Sequence, residues 1–193
     1  MSFEDDARMI INDSIAQHHA VLERCREQLI PTIVDVGKIV KEAITGGRKV
    51  MLCGNGGSAA DAQHIAAELI GRYKKERAPL WATALTTDTS ILTCIGNDYC
   101  YEEIFARQIR AIGQPGDILI AISTSGNSGN IMRAVAAAKD VGCTVVGLAG
   151  HQGGKLAPSC DYAVTVPSDN TARIQEMHIM IGHMLCEFLE DID

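Results

Sequence analysis

No apolar run in the sequence approaches the ~18 consecutive residues of a membrane span. The opening residues, Met1-Ser2-Phe3-Glu4-Asp5-Asp6-Ala7-Arg8, place acids where a secretory leader carries basic and then apolar residues. Both absences lead to the expectation of a cytoplasmic protein with no membrane partner. Basic charge is also scarce: 17 Lys and Arg stand against 24 Asp and Glu, a net charge of -7. That balance argues against nucleic acid or an anionic membrane surface as the main partner, so any bound phosphate must be held by local geometry. Cysteine pairing signals are missing as well. The seven cysteines (Cys25, Cys53, Cys94, Cys100, Cys143, Cys160 and Cys186) are odd in number, dispersed and never in C-x-x-C spacing. Neither a disulfide framework nor a thiolate zinc site is suggested, and buried reduced thiols are expected. Cys53 ends an apolar run before a glycine-rich loop with no neighbouring base to activate it, and it reads as wall. Solenoid-period repeats, low-complexity tracts and Pro- or Ser-rich linkers are absent too.

What is present suffices for a core. Hydrophobic residues make up 47% and charged residues 21% of the 193, close to the soluble globular average, and the length fits a single domain over 1–193. Helical spacing of apolar residues predicts one helix from about Phe3 to Gln28 and a second from Pro31 to about Thr45, stopped by Gly46-Gly47. These two helices, about residues 3–45, are expected to pack on the same domain or on a neighbouring subunit. Strands are then predicted at Lys49–Cys53, around Trp81–Thr86, at Asp117–Ile122, Thr144–Leu148 and Tyr162–Val166. Helices alternate with them at Ala59–Tyr73, around Ser90–Cys94, Tyr101–Ile112, Gly129–Val141 and Thr171 to about Leu189. That alternation predicts an α/β fold, a doubly wound parallel sheet with helices on both faces and an N-terminal helical arm.

Two loops carry chemistry. Gly54-Asn55-Gly56-Gly57-Ser58 follows a buried strand, and its glycines let backbone N–H groups approach a ligand. Ser58 and Asp61 form an S-x-x-D capping signature, placing a helix start at the loop with a carboxylate that would oppose phosphate binding there. Ser123-Thr124-Ser125-Gly126-Asn127-Ser128 again lies between an apolar strand and a helix, where hydroxyls, backbone N–H groups and the helix dipole suit a phosphate monoester. A Ser128 N-cap would account for one hydroxyl and leave three unexplained. The P-loop lysine and the G-x-G-x-x-G of dinucleotide folds are both missing, so a small phosphorylated metabolite fits better than ATP or NAD.

Two helices supply further candidates. His64 and Glu68, four apart, share one face of a helix poor in charge and are able to share a metal or a substrate. On the last helix Gln175 and His183 are separated by ~12 Å of rise and ~80° of rotation, too far for an easy shared ligand. They serve one kind of site either at full stretch or from different chains. His178 lies nearer Gln175 and on spacing alone is an equal candidate.

These segments together resemble the SIS-domain phosphosugar isomerases over nearly the whole chain. The likeness rests on Cys53–Ser58, on Asp61–Tyr73 with His64, Glu68 and Arg72, on Gly96-Asn97-Asp98, on Ser123–Ser128 and on Arg173–His183. The resemblance implies a homotetramer with active sites at subunit contacts. It puts zinc on His64, Glu68, Gln175 and His183, thereby selecting His183 over His178, and the helix-rise argument then favours ligands from more than one subunit. Sugar-phosphate contacts are implied at Asn55, Gly56, Gly57, Glu68, Asn97, Asp98, Ser123, Thr124, Ser125, Ser128 and Gln175. The implied reaction converts sedoheptulose 7-phosphate to D-glycero-D-manno-heptose 7-phosphate for ADP-heptose and surface polysaccharides such as lipopolysaccharide. Its enediol route needs a base and an acid, assigned to Glu68 and His183. Zinc-bound groups are poorer proton carriers, so the metal's role, catalytic or structural, stays open. Two alternatives stand beside this reading: a non-enzymatic relative that binds the replication initiator DnaA, and an isomerase for another sugar phosphate. The carboxylate at Glu68 argues against the first, which lacks one at the matching position.

Overall fold

A computed structural model describes residues 2–192. Helix α1 (Phe3–Gln28) opens with a capping box in which Ser2 and Asp5 each accept the other's backbone N–H at 3.2 Å. Leu29 alone separates it from α2 (Ile30–Thr45), whose first turn holds Pro31 as expected. Gly47, at φ +74°, completes the turn into β1 (Val50–Cys53). There follow α3 (Gly57–Ile70), β2 (Ala82–Ala84), α4 (Thr89–Asp98), a 3-10 turn at Tyr101–Glu103, and α5 (Ala106–Ile112). The chain continues through β3 (Ile118–Ser123), α6 (Gly129–Val141), β4 (Thr144–Ala149), a second 3-10 turn at Ala157–Ser159, β5 (Tyr162–Thr165) and α7 (Thr171–Phe188).

Several boundaries differ from the sequence reading for local reasons. Helix α3 starts at Gly57 because Gly56, at φ +55°, turns the chain without any side-chain cap. It ends at Ile70 because the Arg77 guanidinium takes the carbonyls of Glu68 and Leu69, each at 2.9 Å. The strand expected at Trp81–Thr86 shortens to Ala82–Ala84, and the helix expected over Tyr101–Ile112 divides into the 3-10 turn and α5.

The five strands are all parallel, in the order β2-β1-β3-β4-β5. β1 and β3 are buried on both faces, which is why each reads as a continuous apolar run. Side chains alternate between two cores. Val50, Leu52, Ile118, Ile120 and Ile122 pack beneath α1, α2, α3 and α7, while Met51, Leu119 and Ala121 face α4, α5 and α6. Strand order reverses at β1, so the carboxyl ends of β1 and β3 adjoin at the point where crossovers leave for opposite faces. That crevice is the usual ligand position in open α/β sheets, and both candidate loops emerge there.

The second half of α1 is fastened to its own chain. His18 Nδ1 lies 2.8 Å from Glu176, Asn170 donates to Gln17 at 3.0 Å and Arg24 donates to the Pro167 carbonyl at 3.1 Å. Its first half leaves Phe3, Met9, Ile10, Ile11 and Ile15 exposed. No helix among the described residues is long and apolar enough to cross a membrane.

Candidate active site

The loop after β1 is shaped by close backbone packing. A Cβ on Gly54 would sit 2.4 Å from the Ser58 carbonyl, so only glycine fits. The Ser58–Asp61 capping pair does not form, because α3 has already begun at Gly57 and Ser58 is buried within its first turn. Asp61 turns inward instead. Its Oδ2 has no hydrogen-bond partner among the described residues, and burial raises its carboxyl pKa against the opposing pull of His64 and His183.

Asn55 is held from two directions. It exchanges amide hydrogen bonds with buried Asn130 of α6, at 2.8 and 2.7 Å, and accepts the Tyr101 hydroxyl at 2.9 Å. Neither Asn130 nor Tyr101 was marked by the sequence. An asparagine in the first turn of a helix reads as solvated, and nothing local reveals a partner 75 residues away. The Asn97–Asp98 pair ends α4, just ahead of that Tyr101 turn, and is exposed. The Asn97 amide donates to Asp98 at 2.8 Å and, with the Cys94 thiol, holds the Asp98 pKa below the usual carboxylate value.

The loop after β3 folds onto its own polar groups. Ser128 occupies the N-cap position of α6 but makes no side-chain cap; its hydroxyl pairs with Ser123 at 3.1 Å. The first-turn N–H groups of α6 are therefore not consumed by that side chain, and the dipole there favours an anion. Asn127 braces the loop, accepting the Lys155 N–H at 3.2 Å and donating to the Ser125 carbonyl at 2.8 Å. Gly126, at φ +66°, presses so closely on the Gly153 carbonyl that a Cβ would come within 2.2 Å. Thr124 and Ser125 stand part-exposed and exposed on this frame.

Helices α3 and α7 run alongside one another in the same direction. The Gln175 amide lies against Gly57, Ile65 packs on Gly182, and His64 meets His183 with Nε2 atoms 3.1 Å apart. His64 Nε2 is also 3.3 Å from Glu68 Oε1. The chain thus brings His64, Glu68 and His183 together, while Gln175 stays two helical turns away at the glycine loop, ~12 Å along α7. Separations of 3.1 and 3.3 Å approach the edge of a tetrahedron whose corners lie ~2.0–2.1 Å from a zinc ion, so the donor pairs fit that metal. Among the described residues no three His, Cys, Asp or Glu side chains are placed to hold a metal ion together, so one chain offers donor pairs only.

His178 faces the other way. It is fully buried, donates Nε2–H to the Ala149 carbonyl at 3.0 Å, and burial pulls its pKa down to about 4. Cys53 is wall as expected, buried with its thiol pushed up to about 12 by desolvation. The expectation of uniformly buried thiols needs correction: Cys94 and Cys100 are exposed, on α4 and at the turn after it, and Cys160, which ends the Ala157–Ser159 turn, is partly so.

Residues 15–150 match the family model for the SIS domain. A phosphoheptose isomerase of Rhodospirillum rubrum is 56% identical over 161 residues, covering 83% of this chain and 86% of its own. One from Nitratiruptor is 54% identical, covering 94% and 97% respectively. The solved structure of a phosphoheptose isomerase from Francisella tularensis superposes with a TM-score of 0.93 at 38% identity, over 100% of both chains.

Proposed function

The chain belongs to the SIS-domain family, among its phosphoheptose isomerases, and from that premise we propose that it converts sedoheptulose 7-phosphate to D-glycero-D-manno-heptose 7-phosphate for bacterial surface polysaccharide. The observation that carries the assignment is the convergence of His64, Glu68 and His183 in a fold whose anion-suited loop opens at the sheet's switch point.

The phosphate is received by the N–H groups at the start of α6 with the hydroxyls of Thr124 and Ser125, while Ser123 and Ser128 hold each other in place. Asn55, fixed by Asn130 and Tyr101, and Gln175, lying against Gly57, address the sugar hydroxyls; Asn97 and Asp98 complete that wall. Isomerisation moves one proton between adjacent carbons. Glu68 takes the proton from the hydroxyl-bearing carbon, the released pair forms the C=C bond of an enediol, and His183 supplies a proton to the former carbonyl oxygen. The reverse transfers at the neighbouring carbon give the aldose. Zinc on His64, Glu68, Gln175 and His183 would supply carbonyl polarisation and orientation when bound. The two-turn offset of Gln175 and the apolar first half of α1 support a homotetramer whose subunits share each site. A phosphorylated metabolite as substrate supports a cytoplasmic location.

The test is incubation with sedoheptulose 7-phosphate and zinc, following the aldose by NMR, with Glu68→Gln alongside. Wild type should form product and the variant should lose about 10²- to 10⁴-fold. Near-normal turnover by Glu68→Gln with unchanged zinc content would remove Glu68 from the base role.

A further inference from the structure

Residues 71–80 form a strap that crosses from the end of α3 to β2 and takes no part in the steps above. Both its ends are anchored. Arg77 closes the last carbonyls of α3, which carries Glu68, and the Leu80 N–H donates to the Leu69 carbonyl at 3.0 Å. Nearer its start, the backbone N–H groups of Lys74 and Lys75 both donate to the carboxylate of Glu190, just beyond α7. Glu190 is only 7% exposed, and a buried carboxylate is costly unless its oxygens are satisfied. The ammonium groups of Lys74 and Lys75 also reach Glu187 and Asp191, but surface pairs of this kind add little. The bonds from the two peptides to Glu190 are the principal latch.

Immediately before the Lys74–Lys75 latch the strap carries Tyr73, whose ring stacks on the His183 imidazole with centroids 5.5 Å apart and planes 21° from parallel. His64 meets the same imidazole edge-on, at 5.0 Å and 64°. A partly exposed histidine on a helix side otherwise has a broad, roughly two-fold torsion at its ring, and an aromatic face laid along it selects one plane. We propose that Tyr73 is a positioning residue for His183: the strap, latched by Glu190, holds the tyrosine ring against the imidazole and fixes the plane of that imidazole beside His64 before zinc or substrate arrives. This rests on the reading of His183 as the acid. Stacking requires the ring and not the hydroxyl, so phenylalanine satisfies the role and an aliphatic side chain does not.

The experiment measures kcat and KM for sedoheptulose 7-phosphate on the full chain supplied with zinc, and histidine ring-proton NMR on the same full chain without zinc, for Tyr73→Phe, Tyr73→Leu, Glu190→Gln and His183→Gln. Tyr73→Phe should stay within about twofold of wild type. Tyr73→Leu should lower kcat about tenfold, since small misplacements of a reacting group cost one to two decades, with KM changed less than about threefold. Its His183 ring protons should move downfield as the tyrosine ring current is lost. Glu190→Gln, which keeps Tyr73 but weakens the latch, should lower kcat about threefold, and it carries the test if Tyr73→Leu does not fold. A folded Tyr73→Leu with unchanged kcat, equal losses for Phe and Leu, or unmoved His183 resonances would overturn the positioning role. An impaired His183→Gln beside an unimpaired Tyr73→Leu overturns that role alone, whereas full turnover by His183→Gln overturns the acid assignment and the positioning role together.

Discussion

Asn55 and Asn130 face each other amide to amide, each donating to the other's carbonyl oxygen, at 2.8 and 2.7 Å. The pair ties the loop after β1 to the first turn of α6, so the glycine loop and the hydroxyl loop are one rigid unit. Truncating Asn130 to alanine removes both bonds from a buried position and leaves Asn55 with the Tyr101 hydroxyl alone. Asn130→Ala should lose about 1–3 kcal/mol of stability, read by urea unfolding, and should raise KM for the sugar phosphate more than it lowers kcat.

Two glycines make opposite predictions. A Cβ on Gly57 would meet the Gln175 amide at 2.6 Å, and that amide is the movable end of a side chain. Gly57→Ala should therefore leave stability unchanged or raised by about 0.5 kcal/mol, as Gly to Ala in a helical conformation does, while displacing Gln175 and weakening substrate binding. Gly126 combines φ +66° with a backbone oxygen at 2.2 Å from its ideal Cβ. Gly126→Ala should instead cost about 1–3 kcal/mol, visible as a fall in urea midpoint.

His178 sets an acid limit on stability. Its ordinary value of 6.5 falls to about 4 in the folded chain because burial disfavours the imidazolium. On acidification the unfolded chain takes this proton first, so protons favour unfolding. The contribution is complete above pH 6.5 and is lost as the pH falls from there toward 4, at about 1.4 kcal/mol per unit. Urea unfolding at pH 7, 6 and 5 should show that slope, and His178→Gln, which retains a donor for the Ala149 carbonyl, should flatten it.

The thiols should divide by exposure. Cys94 and Cys100 are exposed, whereas Cys53 and Cys186 are buried with values pushed up to about 12. Iodoacetamide at pH 8 should label Cys94 and Cys100 in the native protein and all seven cysteines in denaturant. The Asp98 bond raises the Cys94 pKa and should slow its labelling; Asp98→Asn should speed it. Rapid native labelling of Cys53 would contradict its place in the wall.

Legibility followed the range of the interaction. β1 and β3 were readable because burial on both faces leaves an uninterrupted apolar run, and the end of α6 at Val141 because Gly142, at φ +88°, caps it locally. The start of α3 was misplaced since Ser58 offered a familiar cap while the real device is the positive φ of Gly56, a backbone property with no side-chain signature. Spacing alone left His178 and His183 level, and the resemblance chose between them. Yet a discriminating pattern was present: Ile174, Met177, Ile181 and Leu185 mark the buried stripe of α7, and His178 lies within that stripe while His183 lies off it. Asn130, Tyr101 and the Tyr73 strap were invisible because each acts through a partner distant in sequence.

An all-parallel sheet also dictates when the site comes into being. No strand here can zip to its neighbour through a hairpin; Lys49 and Asp117, which flank the β1–β3 seam, are 68 residues apart in the chain. Closing such a loop is an entropic hurdle crossed late and slowly. Until it closes, the glycine loop and the hydroxyl loop belong to separate stretches of polymer, and a ligand held by both has no site to bind. A sugar phosphate bound across both loops should therefore slow unfolding and leave the folding rate unchanged, as stopped-flow urea jumps with and without it would show.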